Sequence, residues 1–202
     1  MAERPIIFSG PMIRALLAGK KTMTRRIIKG DPARVYWHPV VVAGYGGWVD
    51  EHGRPVGCPY GAPGDRLWVR ETIDYDAGRG HFYKATGMYV GPLLDYEREP
   101  PPANGLPCRA IPSIHMPRWA SRITLEITGV RVERPQDISD SDAEAEGCNP
   151  RQPLMASGIV IPGQWRLGYR DLWEQIHGTG SWNTNPWVWV LNFKRVEQGV
   201  RP

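Results

Sequence analysis

Between residues 19 and 29 the chain reads GKKTMTRRIIK, which places five cationic side chains (Lys20, Lys21, Arg25, Arg26, Lys29) around two hydroxyls, Thr22 and Thr24. Lys21, Thr24 and Arg26 together offer a proton acceptor, a nucleophilic hydroxyl and a donor for a developing oxyanion. A threonine hydroxyl is inert alone, and a lysine that loses solvent contact can shed its charge and act as the base it needs. The same run also fits a plain solvated basic face, the commoner fate of lysine and arginine clusters.

A second candidate lies in DISDSDAEAEG, residues 137–147. Ser139 and Asp142 have the spacing of a capping box, and acids early in a helix suit its positive end. Glu146 breaks that rule, because a negative charge in the last turn, next to the terminating Gly147, is unfavourable by up to ~1 kcal/mol. A residue that violates a local preference is a functional candidate when a cation compensates it, and Lys21 is the expected cation. Glu144 has the same chemistry on another face and serves as its control.

These residues need elements to hold them. SGPMIRALLAG, from Ser9 to Gly19, reads as a short helix with Ser9 or Gly10 as N-cap, Pro11 where a missing N–H costs nothing, and Gly19 as a left-handed terminator. Thr22–Ile28 follows as a strand whose period of two puts Thr22, Thr24 and Arg26 on one face. Lys20, Arg25 and Lys29 are expected to face outward. Further strands are expected at 5–8, 66–71, 81–85, 120–134 and 187–196, the last apolar on both faces. Helices are expected at 139–146 and 166–177, the latter burying Leu172, Trp173 and Ile176. Insertions rich in Gly, Pro and aromatics fall near 30–63, 86–112 and 148–164, the first with a hairpin whose arms are 35–42 and 48–56. Short strands with few helices argue for a mixed α+β barrel.

Composition limits the function classes. The 202 residues are 41% hydrophobic, enough for one substantial core, so a single domain spanning 1–202 is expected. No apolar run approaches the ~20 residues of a membrane span, and the N-terminus lacks a signal-peptide stretch, which together point to the cytoplasm and away from membranes. Cys58, Cys108 and Cys148 are odd in number and widely spaced, without the ordered ligand pattern of a zinc site, so no metal is expected. The formal charge of +4 permits nucleic acid as a partner without demanding it. A second basic cluster, Arg118, Arg122, Arg131 and Arg134, surrounds Trp119. Guanidiniums match phosphates and an exposed indole stacks on bases, although core packing is the expected place of Trp119. His115 beside them reads as a structural, hydrogen-bonded histidine.

The pattern Gly19-x-Lys21-x-x-Thr24-x-Arg26 resembles the signature of the ASCH family, small β-barrels related to the PUA fold. The likeness extends to PGDRLWVRE (63–71), PSIHMPRWASRITLEI (112–127), DISDSDAEAEG (137–147) and PWVWVLNFKRV (186–196), which look like blocks of the larger phage and prophage ASCH proteins. The motif is also similar to that of compact bacterial ASCH enzymes that hydrolyse N4-acetylcytidine, which implies a Lys21, Thr24 and Glu146 triad acting without metal or other cofactor. Those enzymes are about half as long as this chain, and its insertions have room to reshape the pocket. Gly19, Lys20, Arg26, Arg118, Trp119 and Arg122 are then the expected contacts to a modified nucleoside or nucleic acid, RNA before DNA. Two other functions stay open on the same residues: a metal-independent ribonuclease, and a noncatalytic module binding RNA, DNA or a modified base.

Overall fold

The structure, a computed structural model, describes residues 1–28, 35–38, 47–50, 57–78, 80–90, 106–151 and 162–196, with backbone alone at 35–38 and 47–50. Strands are β1 (Glu3–Ile7), β2 (Met23–Ile27), β3 (Val35–His38), β4 (Gly47–Asp50), β5 (Arg66–Arg70), β6 (Ile73–Asp76), β7 (Gly80–Tyr83), β8 (Thr124–Glu133) and β9 (Val188–Val196). Helices are α1 (Gly10–Leu17), α2 (Asp140–Ala145), α3 (Gln164–His177) and α4 (Ser181–Thr184).

Five strands form the central sheet in the order β1-β5-β8-β9-β2, with β1 and β5 parallel and the remaining pairs antiparallel. The class is mixed α+β, as expected. No strand pairing joins the sheet's end strands β1 and β2 among the described residues. Its ends nevertheless approach each other, because the Arg26 guanidinium on β2 donates to the Ile7 carbonyl on β1 at 2.6 Å.

The apolar character of β9 on both faces has a direct consequence. Leu191 and Phe193 pack with Ile6, Ile13, Leu16, Leu67, Val69 and Leu125 in a core covered by α1. Val188 and Val190 pack with Met23, Ile138, Ala143, Tyr169 and Trp173 in a second core under α2 and α3. Each buried Leu, Ile or Phe contributes roughly 1.5–3 kcal/mol of transfer free energy, so both faces of the sheet need their covers. The segment between α1 and β2 threads from one cover to the other.

Several expectations are corrected in detail. Ser121 and Arg122 precede β8, which starts at Thr124 after a turn of 3-10 helix at Arg118–Ala120, so the strand expected over 120–134 is shorter. The 81–85 strand is β7, which pairs with β6 in a separate hairpin. The sequence of β6, IDYD, gave no strand signal, since aspartate is disfavoured there. In α3 Tyr169 and Trp173 are the buried residues while Ile176 is 51% exposed, against the expected face. The hairpin β3–β4 pairs Val35 with Asp50 and falls in the expected first insertion. Most of the three insertions, and Lys29, lie outside the described residues.

Candidate active site

Two helix C-termini meet on one short segment. The N–H groups of Lys20 and Lys21 donate to the Ala15 carbonyl at 2.9 and 3.2 Å, and the N–H of Thr22 donates to the Ala145 carbonyl at 2.9 Å. Carbonyls left over at the ends of α1 and α2 are thereby satisfied by the chain entering β2. Gly19 closes α1 with φ +69°, as its position predicted. Gly147 closes α2 with φ +78°, and a Cβ placed there would lie 3.0 Å from Ala15 Cβ and 3.1 Å from Lys21 Cβ. Glycine at 147 is thus what lets α2 come close enough for Lys21 to reach it.

Lys21, 2% exposed, donates from Nζ to Glu146 Oε2 at 2.8 Å and to the Glu146 carbonyl at 2.7 Å. The opposing cation that the misplaced Glu146 called for is therefore present. A second one is Arg25, whose Nη1 lies 3.3 Å from Glu146 Oε1. Arg25 does not face outward: its side chain is fully buried and also pairs with Glu133 and Asp142, each at 2.8 Å. Period two puts Arg25 on the Met23 side of β2, and α2 and α3 cover that side. Arg131 completes the cluster through Glu133, Asp142 at 2.7 Å and Asn192 at 2.8 Å.

Burial alone lowers the Arg25 pKa, but Glu146, Asp142 and Glu133 outweigh it and the net direction is upward. Nearby Cys148 is pushed up to about 12, chiefly by burial and then by Glu146, which makes it an inert thiol. Tyr169 is raised for the same two reasons. The acids of α2 divide as the sequence suggests, with Ser139 Oγ accepting from the Asp142 N–H at 3.1 Å and Glu144 exposed.

Thr24 is 3% exposed and shares its strand face with Arg26. No hydrogen bond joins Thr24 to Lys21 among the described residues; Lys21 is engaged by Glu146 instead. What the two cations share is Phe8, a residue the sequence reading placed only in a core strand. Lys21 Nζ is 5.5 Å and the Arg26 guanidinium 5.1 Å from the Phe8 ring centroid. Lys21 precedes β2 and is not bound by its alternation, so it and Arg26 can approach the same ring. Burial lowers the Arg26 pKa, against Tyr60, Glu146 and Tyr169, and its buried Nε has no hydrogen-bond partner among the described residues.

The remaining expected contacts lie elsewhere. Gly19 and Lys20 are exposed beside the segment. Arg118 pairs with Glu3 at 2.6 Å and lies over Trp68, while Trp119 is 42% exposed and so is not a core residue. Arg122 is turned inward, bonded through Nε and Nη2 to both oxygens of Glu71 at 2.8 and 2.9 Å and stacked 3.9 Å from the Tyr83 ring, which takes it out of a phosphate-binding surface. Arg134 is likewise occupied, over Trp187 and on the Asn185 carbonyl. His115 is exposed. Among the described residues no group of three His, Cys, Asp or Glu could hold a metal ion, and no helix is long and apolar enough to cross a membrane.

Comparison of the chain with protein-family models, with curated proteins and with solved structures gives no match.

Proposed function

We propose that this chain is a PUA-like protein of the ASCH type that hydrolyses the amide of an acylated nucleoside or base, of the N4-acetylcytidine kind, without a metal. One observation carries the reading: a buried lysine lies 2.8 Å from a buried carboxylate, and a buried threonine follows it three residues on, in β2. The near approach of β1 and β2 through Arg26 supports the barrel-like fold that goes with it.

The residues support a balanced cycle. Lys21 passes a proton to Glu146, which removes two buried charges at once, and the neutral amine takes the proton of Thr24. The Thr24 oxygen bonds to the acyl carbon, and the carbonyl oxygen becomes an oxyanion facing a donor such as Arg26 Nε. The carbon–nitrogen bond then breaks and the leaving amine takes the proton from Glu146. Water repeats the sequence against the threonine ester, freeing the acid and restoring Thr24. To take the Thr24 proton, Lys21 Nζ must then turn from the Glu146 carbonyl towards Thr24, a tightening of the kind substrate binding produces. Arg25 holds the second oxygen of Glu146 and keeps the carboxylate aimed while its proton moves.

The test is incubation with N4-acetylcytidine, other acylated cytidines and RNA, followed by mass spectrometry of the products. Free cytidine and carboxylic acid are expected. Cleaved RNA with intact acyl groups would instead assign Lys21 and Arg26 to a pentacoordinate phosphate, and binding without any product would leave a recognition module.

A further inference from the structure

Beside Phe8 the structure holds a cavity of about 500 Å³, within the 300–1,000 Å³ range of small-molecule clefts. Its wall is formed where β1 and β5 run out together. Ile6 on the first and Phe8 just beyond its end, with Leu67 and Val69 on the second, are buried on the core side. Period two carries that side on to Glu71, and the Phe8 N–H still reaches the Arg70 carbonyl at 3.4 Å. Glu71 is thereby a carboxylate at an apolar position, 2% exposed, in the wall of a cavity and next to the ring on which Lys21 and Arg26 converge.

The charge pattern of this cavity has a direction. Inside is the Glu71 carboxylate, held side-on by the Arg122 fork, which leaves each oxygen able to accept once more. At the mouth are two exposed cations: Arg14, whose Nη1 donates to the Ala85 carbonyl at 3.1 Å, and Lys84, 65% exposed and only loosely paired with Asp74 at 3.5 Å. Ser9, Thr72 and Ser113 add hydroxyls between them. A ligand that fits must offer N–H donors at its inner end and negative charge at its outer end. A nucleotide with an amino-bearing base does so, since a carboxylate accepts from the exocyclic N4–H of cytosine, one of which remains when N4 carries an acyl group, while lysine and arginine take the phosphate.

We propose that this cavity is a nucleotide site, in which Glu71 reads the amino edge of the base and Arg14 and Lys84 hold its phosphate. The proposal rests on the hydrolase reading for the choice of cytosine, and it changes the substrate class from a nucleoside to a nucleotide, free or within a strand. Glu71 is a specificity residue and takes no part in proton transfer.

The test is calorimetric binding of cytidine, cytidine 5′-monophosphate and a short cytidine-containing RNA. The monophosphate is expected to bind about tenfold more tightly than cytidine, the size of effect a charge-assisted contact gives. Lys84→Ala should remove that advantage and leave cytidine affinity unchanged. Glu71→Gln should weaken all cytosine ligands; because it also disturbs the Arg122 pair, Ser113→Trp provides a second variant that fills the cavity from its rim. Loss of binding in Ser113→Trp, with an unchanged melting temperature, supports the site, and tighter binding of the RNA than of the monophosphate identifies a strand as the source. Equal affinity for cytidine and its monophosphate, or a Ser113→Trp protein that binds normally, overturns it. Binding without hydrolysis would sink the hydrolase and keep this site; hydrolysis unchanged by Lys84→Ala, Glu71→Gln and Ser113→Trp would do the reverse.

Discussion

Glu146 and Glu71 are both buried carboxylates, 4% and 2% exposed; Glu146 reaches Phe8 through Lys21, and Glu71 lines the same cavity as Phe8. Their partners differ. Glu146 is shared between a lysine at 2.8 Å and an arginine at 3.3 Å, inside a cluster where Lys21, Arg25 and Arg131 face Glu146, Asp142 and Glu133. Glu71 has one arginine, bonded through two nitrogens and clamped on Tyr83. Arginine keeps its proton in any protein environment, whereas lysine is the cation that proteins use as a general base. In the proposed cycle the first pair moves a proton and the second only holds a shape, although both look alike as buried ion pairs.

The widest separation between the two regions should appear in turnover. Lys21→Ala is expected to lower the rate by roughly 10²–10⁴-fold, the usual contribution of a proton acceptor, with substrate affinity retained, while exposed Lys20→Ala changes little. Glu146→Gln should fall with Lys21→Ala, and Glu144→Gln should match the unmodified protein. Steady-state kinetics on acylated cytidine gives all four values. Similar modest losses in every variant would show a common electrostatic surface.

Stability should rank the regions the other way. Glu71→Gln leaves the Arg122 guanidinium without its anion and is expected to cost about 3 kcal/mol, as broken buried pairs do, seen as a lowered midpoint in urea. In Glu146→Gln, Lys21 keeps the Glu146 carbonyl and Arg25 keeps Asp142 and Glu133, so the loss should be smaller. A larger loss at Glu146 would make that cluster the structural one.

Smaller still is the expected effect of Gly147→Ala. The left-handed backbone costs an alanine roughly 1–2 kcal/mol, and its Cβ presses on Lys21, so the variant should lose turnover out of proportion to its stability. Normal turnover in a stable Gly147→Ala protein would mean that the close approach is not needed. Arg118→Ala breaks a surface pair with Glu3 and should change stability by less than about 1 kcal/mol, with no effect on hydrolysis.

Part of this was legible in the sequence. Glu146 was visible because it sits at the wrong end of a helix dipole, and a misplaced charge implies a partner. The glycines at 19 and 147 were visible because both close helices, and β9 announced two covered faces by being apolar on both. Arg25 was misread, because alternation gives the side of a strand and not what covers that side. Arg122 was misread because its partner is remote in sequence and each residue alone looks like surface charge. Phe8 carried no signal beyond that of a core strand; its importance comes from the convergence of β1 and β2, which strand order and curvature decide.

The central claim is that Thr24 acts through its hydroxyl under the control of Lys21. Rates of N4-acetylcytidine hydrolysis for Thr24→Ser and Thr24→Val, with folding checked by circular dichroism, test it most directly, since Thr24 is buried and both replacements fit its place on β2. The account predicts measurable turnover in Thr24→Ser and none in Thr24→Val. Full activity in Thr24→Val would contradict it.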